Sequence, residues 1–261
     1  MREKRTFLEK LKATGPAAVI ASAFVGPGTI TTATNAGVNF GYALLWAVIF
    51  SGIASIVIMN MASRLAILGK RNIIDASVDI FANSNAWRVF ILGIIGLVCF
   101  LTGFGFEAGN LIGATTGFSD ITGLSREIAA LIMSILSILA IVFSTPNFIE
   151  MIMKYFIALM GLVFVITAII AKPDVLGILK GFIPTIPDGA MVTTIALIGT
   201  TIIGINLVFH SIATTDKWTE DGKEAENLEN SYFDTNLNVW LGVAMTTALV
   251  LQLLQHCMVL A

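Results

Sequence analysis

Seven stretches of this 261-residue chain are apolar for long enough to cross a bilayer as an α-helix, for which about 20 residues suffice. They run from Gly15 to Asn35, Ala43 to Leu68, Trp87 to Thr116, Ile128 to Phe143, Met151 to Ala171, Ala190 to Thr214 and Leu237 to Val259. Inside hydrocarbon each backbone polar group needs a protein partner, which leaves helices and closed barrels as the only spanning structures. Stretches of this length select helices, so the reading is an all-α polytopic membrane protein. Composition agrees: 12% of the residues are charged, about half the 25% or so of a soluble domain. With 56% hydrophobic residues, disorder is excluded as well. A net charge of −2 supplies no basic field for nucleic acid. The partners expected are the lipid bilayer and a small ion; nothing in the sequence assigns a protein partner.

The connectors carry the charge and the turn formers. Of the fifteen Lys and Arg residues, twelve fall on one side of a seven-span topology. These are Arg2, Lys4, Arg5, Lys10, Lys12, Arg64, Lys70, Arg71, Arg88, Lys154, Lys217 and Lys223. Arg126, Lys172 and Lys180 fall on the other. The asymmetry predicts a multi-pass plasma-membrane protein with a cytoplasmic N-terminus. The basic start leads into a segment too long and too Gly-rich for a signal-peptide core, so span one is expected to be retained. The polar run from Asp216 to Asp234, with Glu220, Asp221, Glu224, Glu226 and Glu229, reads as a solvated linker. Cys99 and Cys257 lie in apolar stretches and read as small buried hydrophobes.

Two spans carry helix breakers at mid-depth. Span one holds Gly26-Pro27-Gly28, followed by Thr29, Thr31, Thr32, Thr34 and Asn35. Proline removes a backbone donor and clashes with the preceding turn, and the flanking glycines tolerate unusual angles. Span six holds Gly199-Thr200-Thr201-Ile202-Ile203-Gly204-Ile205-Asn206. Unwound backbone at this depth requires cover from protein or a water-filled cavity. A matched pair of interrupted spans points to a substrate site at the midplane of a transporter. The spacing, one to six, is that of a five-plus-five inverted repeat. Small residues also let helices pack closely, and for span six both readings stand.

Among the acidic residues only Glu107 sits deep in a span. Charge there is costly, and such residues face the bundle interior and mark ion or proton paths; a neutral, hydrogen-bonded carboxylic acid is the structural alternative. Asn110 lies one turn on, on the same helical face. His210, four residues after Asn206, is either a hydrogen-bonded core residue or a proton relay. No zinc-type cluster, nucleophile triad or P-loop occurs, which argues against an enzyme or an ATP-driven pump.

The residues from Gly15 through Leu68 resemble the start of the Nramp family of proton-coupled divalent-metal transporters. Gly26-Pro27-Gly28-Thr29 stands where that family reads Asp-Pro-Gly-Asn. Phe40-Gly41-Tyr42-Ala43-Leu44-Leu45-Trp46 and Ala62-Ser63-Arg64-Leu65-Ala66-Ile67-Leu68-Gly69 continue the likeness. In span six, Ile198 to Asn206 falls on the family's Gly-Ala-Thr-x-Met-Pro-His-Asn segment and His210-Ser211 on its His-Ser.

The resemblance implies a LeuT-like fold of inverted five-helix repeats, the first complete and the second partial. The expected organisation is a cytoplasmic tail over 1–14, spans one to five over 15–171, and spans six and seven over 172–261 with a linker at 215–236. It implies symport of a divalent metal, carried as substrate and not as cofactor. The substrate site would take in Ala23, Gly26, Pro27, Gly28, Thr29, Thr200, Ile203, Gly204 and Asn206. The metal ligands would come from Ala23, Thr29 and Thr200, because the family's Asp and Met are Gly26 and Ile203 here. The proton path would use Glu107, Asn110 and His210, with Glu107 on the family's span-three Asp and Asn110 on its neighbouring Glu. A site of hydroxyls and carbonyls, without charge or sulfur, should bind Mn²⁺ or Fe²⁺ poorly. Hydrated Mg²⁺, which needs few direct protein ligands, suits it better. The alternatives are a transporter of the same fold for a small organic solute and a non-transporting, incomplete chain.

Overall fold

The computed structural model describes residues 26–81, 84–170, 174–218, 220 and 222–259. Within them the regular structure is helical: α1 Pro27–Phe40, α2 Leu45–Gly69, α3 Ile73–Phe81, α4 Asn85–Thr122, α5 Arg126–Phe143, α6 Pro146–Ile170, α7 Val175–Gly181, α8 Met191–Gly199, α9 Gly204–Lys217 and α10 Glu224–Val259. The helices α2, α4 and α5, and the broken pair from Met191 to Lys217, are long and apolar enough to cross a membrane. The half of span one before Gly26 lies outside the described residues.

The core lies where α1, α2, α8 and α10 meet. Ala33, Ala36, Leu45, Val48, Met59, Leu197, Val239, Val243 and Leu249 form one buried cluster there. Helix α10 packs along α2, α1 and α6. Gly37 makes the α1 contact possible: a Cβ on it would sit 2.6 Å from the Val250 carbonyl oxygen. The turn that ends α1 uses Gly41 at φ 62°, where a side chain would be strained, and its amide closes on the Gly37 carbonyl at 3.1 Å. Beyond it Trp46 Nε1 donates to the Thr185 carbonyl at 2.8 Å and the Tyr42 hydroxyl accepts from the Asp174 amide at 3.1 Å. The Phe40–Trp46 motif thus fastens α1 and α2 to the connector before α8. By contrast α4 and α5 turn large apolar side chains outward, Phe100, Phe104 and Phe143 among them. A surface of this kind calls for cover by lipid or by further protein.

Three expectations change. The connector after α2 contains α3, with Val78 buried and Arg71 paired with Asp79. The connector after α6 contains the short α7, capped by Asp174, whose carboxylate accepts from the Leu176 and Gly177 amides. The third change is larger. Much of the polar run 216–234 is not a linker, because α10 begins at Glu224. Asn227, Asn230, Ser231, Asp234, Thr235 and Asn238 are all buried. They recur three and four residues apart, which is one face of a helix and not the pattern of a loop. Glu226 and Glu229 lie on the exposed face.

Candidate functional site

Helix α8 stops at Gly199 and α9 starts at Gly204. Across the gap the backbone is held by tight bonds, Ile202 N–H to the Ile198 carbonyl at 2.9 Å and Asn206 N–H to the Ile203 carbonyl at 3.1 Å. Among the described residues no backbone amide reaches the carbonyls of Gly199, Thr200, Thr201 or Ile202. Ile203 is extended, at φ −109° and ψ 125°. The β-branched run Thr200 to Ile203, followed by glycine, is a weak place in a helix. The carbonyl end of α8 brings partial negative charge to the break, a polarity that favours cations. Helix α1 begins in kind: Gly26 is extended at φ −73° and ψ 173°, Pro27 takes the first helical position, where no donor is needed, and the Gly26 carbonyl accepts from Ile30 at 3.0 Å.

The residues expected at the site separate into two spaces. Ile203, Gly204 and Asn206 line a cavity of about 80 Å³ together with Thr201, Ile202 and Leu207, closed on its other side by Ser55, Ile58 and Met59 of α2. Gly28 lines a cleft of about 670 Å³ between α1 and α4, with Thr31, Thr32, Gly109, Thr116 and Asp120. Thr29 is buried next to it. The Thr200 hydroxyl turns back to the Leu197 carbonyl at 3.1 Å, and it is Thr201 that lines the cavity. Ala23 lies outside the described residues.

Glu107 departs from expectation. It stands on an exposed face of α4, not within a packed interior, and Asn110 is half-buried. Depth along a span is legible in sequence; the direction in which the helix is turned is not. One turn earlier, a Cβ added to Gly103 would lie 3.4 Å from Ile205 Cδ1, just past the break.

His210 is buried at 1% exposure. Its Nε2 is 2.9 Å from the Ser63 hydroxyl, which accepts from the Ser231 hydroxyl at 2.9 Å. Alongside, the Ser211 hydroxyl accepts from the Ile73 amide at 2.9 Å. The chain of hydroxyls ties α2, α9 and α10 together, and Ser211 adds α3. Sequence reasoning missed Ser63, Ser231, Met59 and Ser55; spacing within one helix carries no signal for contacts between helices.

Membrane-length helices around one that is broken at mid-span, with unpaired carbonyls at the break, define the architecture of secondary transporters built on discontinuous helices. The chain belongs to the Nramp family: the model of natural resistance-associated macrophage protein-like sequences matches residues 17–253. It is 26% identical to the divalent metal cation transporter MntH of Yersinia pestis (strain Pestoides F), across 92% of this chain and 56% of that protein. The MntH protein of Brucella suis biovar 1 is 25% identical across 96% of this chain and 54% of its own length. The fold matches the crystal structure of the Eremococcus coleocola manganese transporter in complex with an aromatic bis-isothiourea substituted compound, with a TM-score of 0.76 at 24% identity, over 96% of this chain and 53% of that one. A mutant of the same transporter gives 0.80 at 23% identity, over 97% and 53%. The fold is all-α and LeuT-like, and the chain spans about half the length of the relatives it matches. Its family is one of transporters and not of enzymes.

Proposed function

We propose that the chain takes part in secondary-active transport of divalent metal cations across the plasma membrane, linked to protons, with its N-terminus in the cytoplasm. The observation that carries this reading is the break between α8 and α9. A family of divalent-metal transporters supplies the context, and the break supplies unpaired carbonyls at the negative end of a half-helix. The cation path runs past Gly26, Pro27, Gly28 and Thr29 on one side and Thr200, Ile203, Gly204 and Asn206 on the other, with Ala23, Thr29 and Thr200 as direct ligands. Spans one to five, over 15–171, form one repeat, and spans six and seven, over 172–261, belong to the second.

Gly26 offers no carboxylate. The cargo therefore keeps much of its water, as Mg²⁺ does readily. Glu107, Asn110 and His210 serve proton movement. Glu107, exposed on α4, exchanges protons with a water-filled space, and His210 passes them through Ser63 and Ser231. Uptake of Mg²⁺ and Mn²⁺ into proteoliposomes, with and without an inward proton gradient, tests the reading. The expected result is faster uptake when the outside is acidic, and loss of that dependence in Glu107→Gln. If Glu107→Gln keeps the full pH dependence, Glu107 has no part in coupling.

A further inference from the structure

The cleft between α1 and α4 carries one charge, and the charge stands at one end of it. Helix α4 contributes Gly109, Gly113, Thr116, Gly117 and Asp120 to its wall. The intervals i, i+4, i+7, i+8 and i+11 keep all five on one helical face. Asp120 is exposed, two residues before α4 ends at Thr122. Gly28, the second residue of α1, lines the same space. A Cβ added to Gly28, Gly109 or Gly117 would meet nothing within 4 Å, so each borders open room. From Gly109 to Asp120 a helix rises about 16 Å, about half the thickness of the hydrocarbon.

The polar groups of the wall are acceptors. The Thr32 hydroxyl donates to the Gly28 carbonyl at 2.8 Å, and the Thr116 hydroxyl to the Ile112 carbonyl at 2.8 Å. The proton of each is committed to its own helix, so each hydroxyl offers only lone pairs to anything that enters. No Lys, Arg, His, Asn or Gln is among the ten lining residues. Among the described residues no basic side chain pairs with Asp120. The next charged residues along the chain, Arg126 and Glu127, are adjacent and opposite in sign.

We infer that the α1–α4 cleft is an aqueous entry for hydrated divalent cations, and that Asp120 at its outer end is the residue that draws them in.

The sign of the cargo follows from a wall with a carboxylate, lone pairs and no cationic group. Its valence follows from Coulomb's law, since a single carboxylate attracts a divalent ion twice as strongly as a monovalent one. A cleft with low-dielectric walls focuses that field along its length. Hydration follows from size: six waters at about 30 Å³ each fill under a third of the 670 Å³ or so, so the ion enters with its shell intact. Asp120 acts through its field and needs no direct bond to the ion. It supplies at the mouth the negative charge that Gly26 does not supply further in. The identity of the cargo rests on the proposed divalent-cation transport; the field of Asp120 does not, and is read without transport.

The test is the rate at which charged thiol reagents reach a cysteine in the cleft. Thr32→Cys is made in the full chain in a Cys99→Ser, Cys257→Ser background, purified into lipid nanodiscs. It is reacted with the cationic trimethylammonium-ethyl and the anionic sulfonato-ethyl methanethiosulfonates, each rate divided by that of free cysteine. The expected result is a cation-to-anion ratio well above one, falling by about fivefold or more in Asp120→Asn at low ionic strength. Glu127→Gln, an exposed carboxylate outside the cleft lining, should leave the ratio unchanged. Mg²⁺ should slow the cationic reagent, and Asp120→Asn should require about threefold or more Mg²⁺ for the same protection. Thermal unfolding checks each variant, and Thr116→Cys is the reporter should Thr32→Cys fail to fold. A ratio indifferent to Asp120→Asn, or a cysteine that neither reagent reaches at either position, would overturn the inference. A ratio that responds in a chain without Mg²⁺ or Mn²⁺ uptake would uphold the entry and refute the transport reading alone.

Discussion

Gly26 and Ile203 determine which chemistry the broken spans can offer. Where the resemblance places a carboxylate and a thioether, this chain has a hydrogen atom and an aliphatic branch, so on the proposed reading the cation is left with hydroxyl and carbonyl ligands, which suit Mn²⁺ poorly. Restoring the acid should be productive, because Gly26 is only partly buried and stands two residues before Gly28, which lines the α1–α4 cleft. Gly26→Asp is expected to raise Mn²⁺ uptake by about tenfold, equivalent to about 1.4 kcal/mol of added binding, measured as initial rates in proteoliposomes at low Mn²⁺. A second residue-scale effect concerns stability. Ser63 is the hydroxyl shared by Ser231 and His210. Ser63→Ala leaves two buried polar groups facing a methyl, at a cost of about 1–3 kcal/mol for each one left unsatisfied. Thermal unfolding in detergent should show a lower Tm for it, while Arg64→Ala, an exposed neighbour, should not shift Tm.

At the scale of elements, the contact between α1 and α10 depends on the missing side chain at Gly37. Gly37→Val drives a Cβ to 2.6 Å from the Val250 carbonyl oxygen, and backbone has no rotamer with which to give way. The helices must part, and overpacking of this kind costs about 1–3 kcal/mol; a fall in thermal stability checks it, with Gly93→Ala, where a Cβ meets nothing within 4 Å, as the neutral control. Elements also show what sequence reading can reach. The break at 199–204 is legible because glycine and β-branched residues weaken a helix wherever it packs. The start of α1 at Pro27 is legible for the same local reason. The stripe from Asn227 to Asn238 passes for part of a solvated linker, since polarity signals water unless a helical period is sought in polar residues as well as apolar ones. For Glu107 the sequence reading expects a side chain facing the bundle interior, and the structure leaves it on an exposed face of α4. Met59 gives no signal at all, for nothing in α2 tells which helix it will meet.

Across the whole molecule, the distribution of Lys and Arg and the direction of the spans make a joint claim. Arg64, Lys70 and Arg71, at the end of α2 and just beyond it, are exposed, and they belong to the side with twelve of the fifteen basic residues. A cysteine placed at Lys70 should be labelled by a membrane-impermeant maleimide only in inverted vesicles, and one placed at Lys180 only in intact cells. The reverse pattern would turn the topology over. The central claim is that divalent cations cross the membrane past the break between α8 and α9. The most direct measurement is Mg²⁺ and Mn²⁺ uptake into proteoliposomes by the unaltered chain and by Asn206→Leu, which removes the one amide at the break while keeping the side chain's size. The account predicts saturable uptake above that of protein-free vesicles, falling by about tenfold or more in Asn206→Leu, the scale on which loss of a ligand weakens a metal site. Uptake no greater than that of protein-free vesicles, or uptake unchanged by Asn206→Leu in a variant that unfolds at the unaltered temperature, would contradict it.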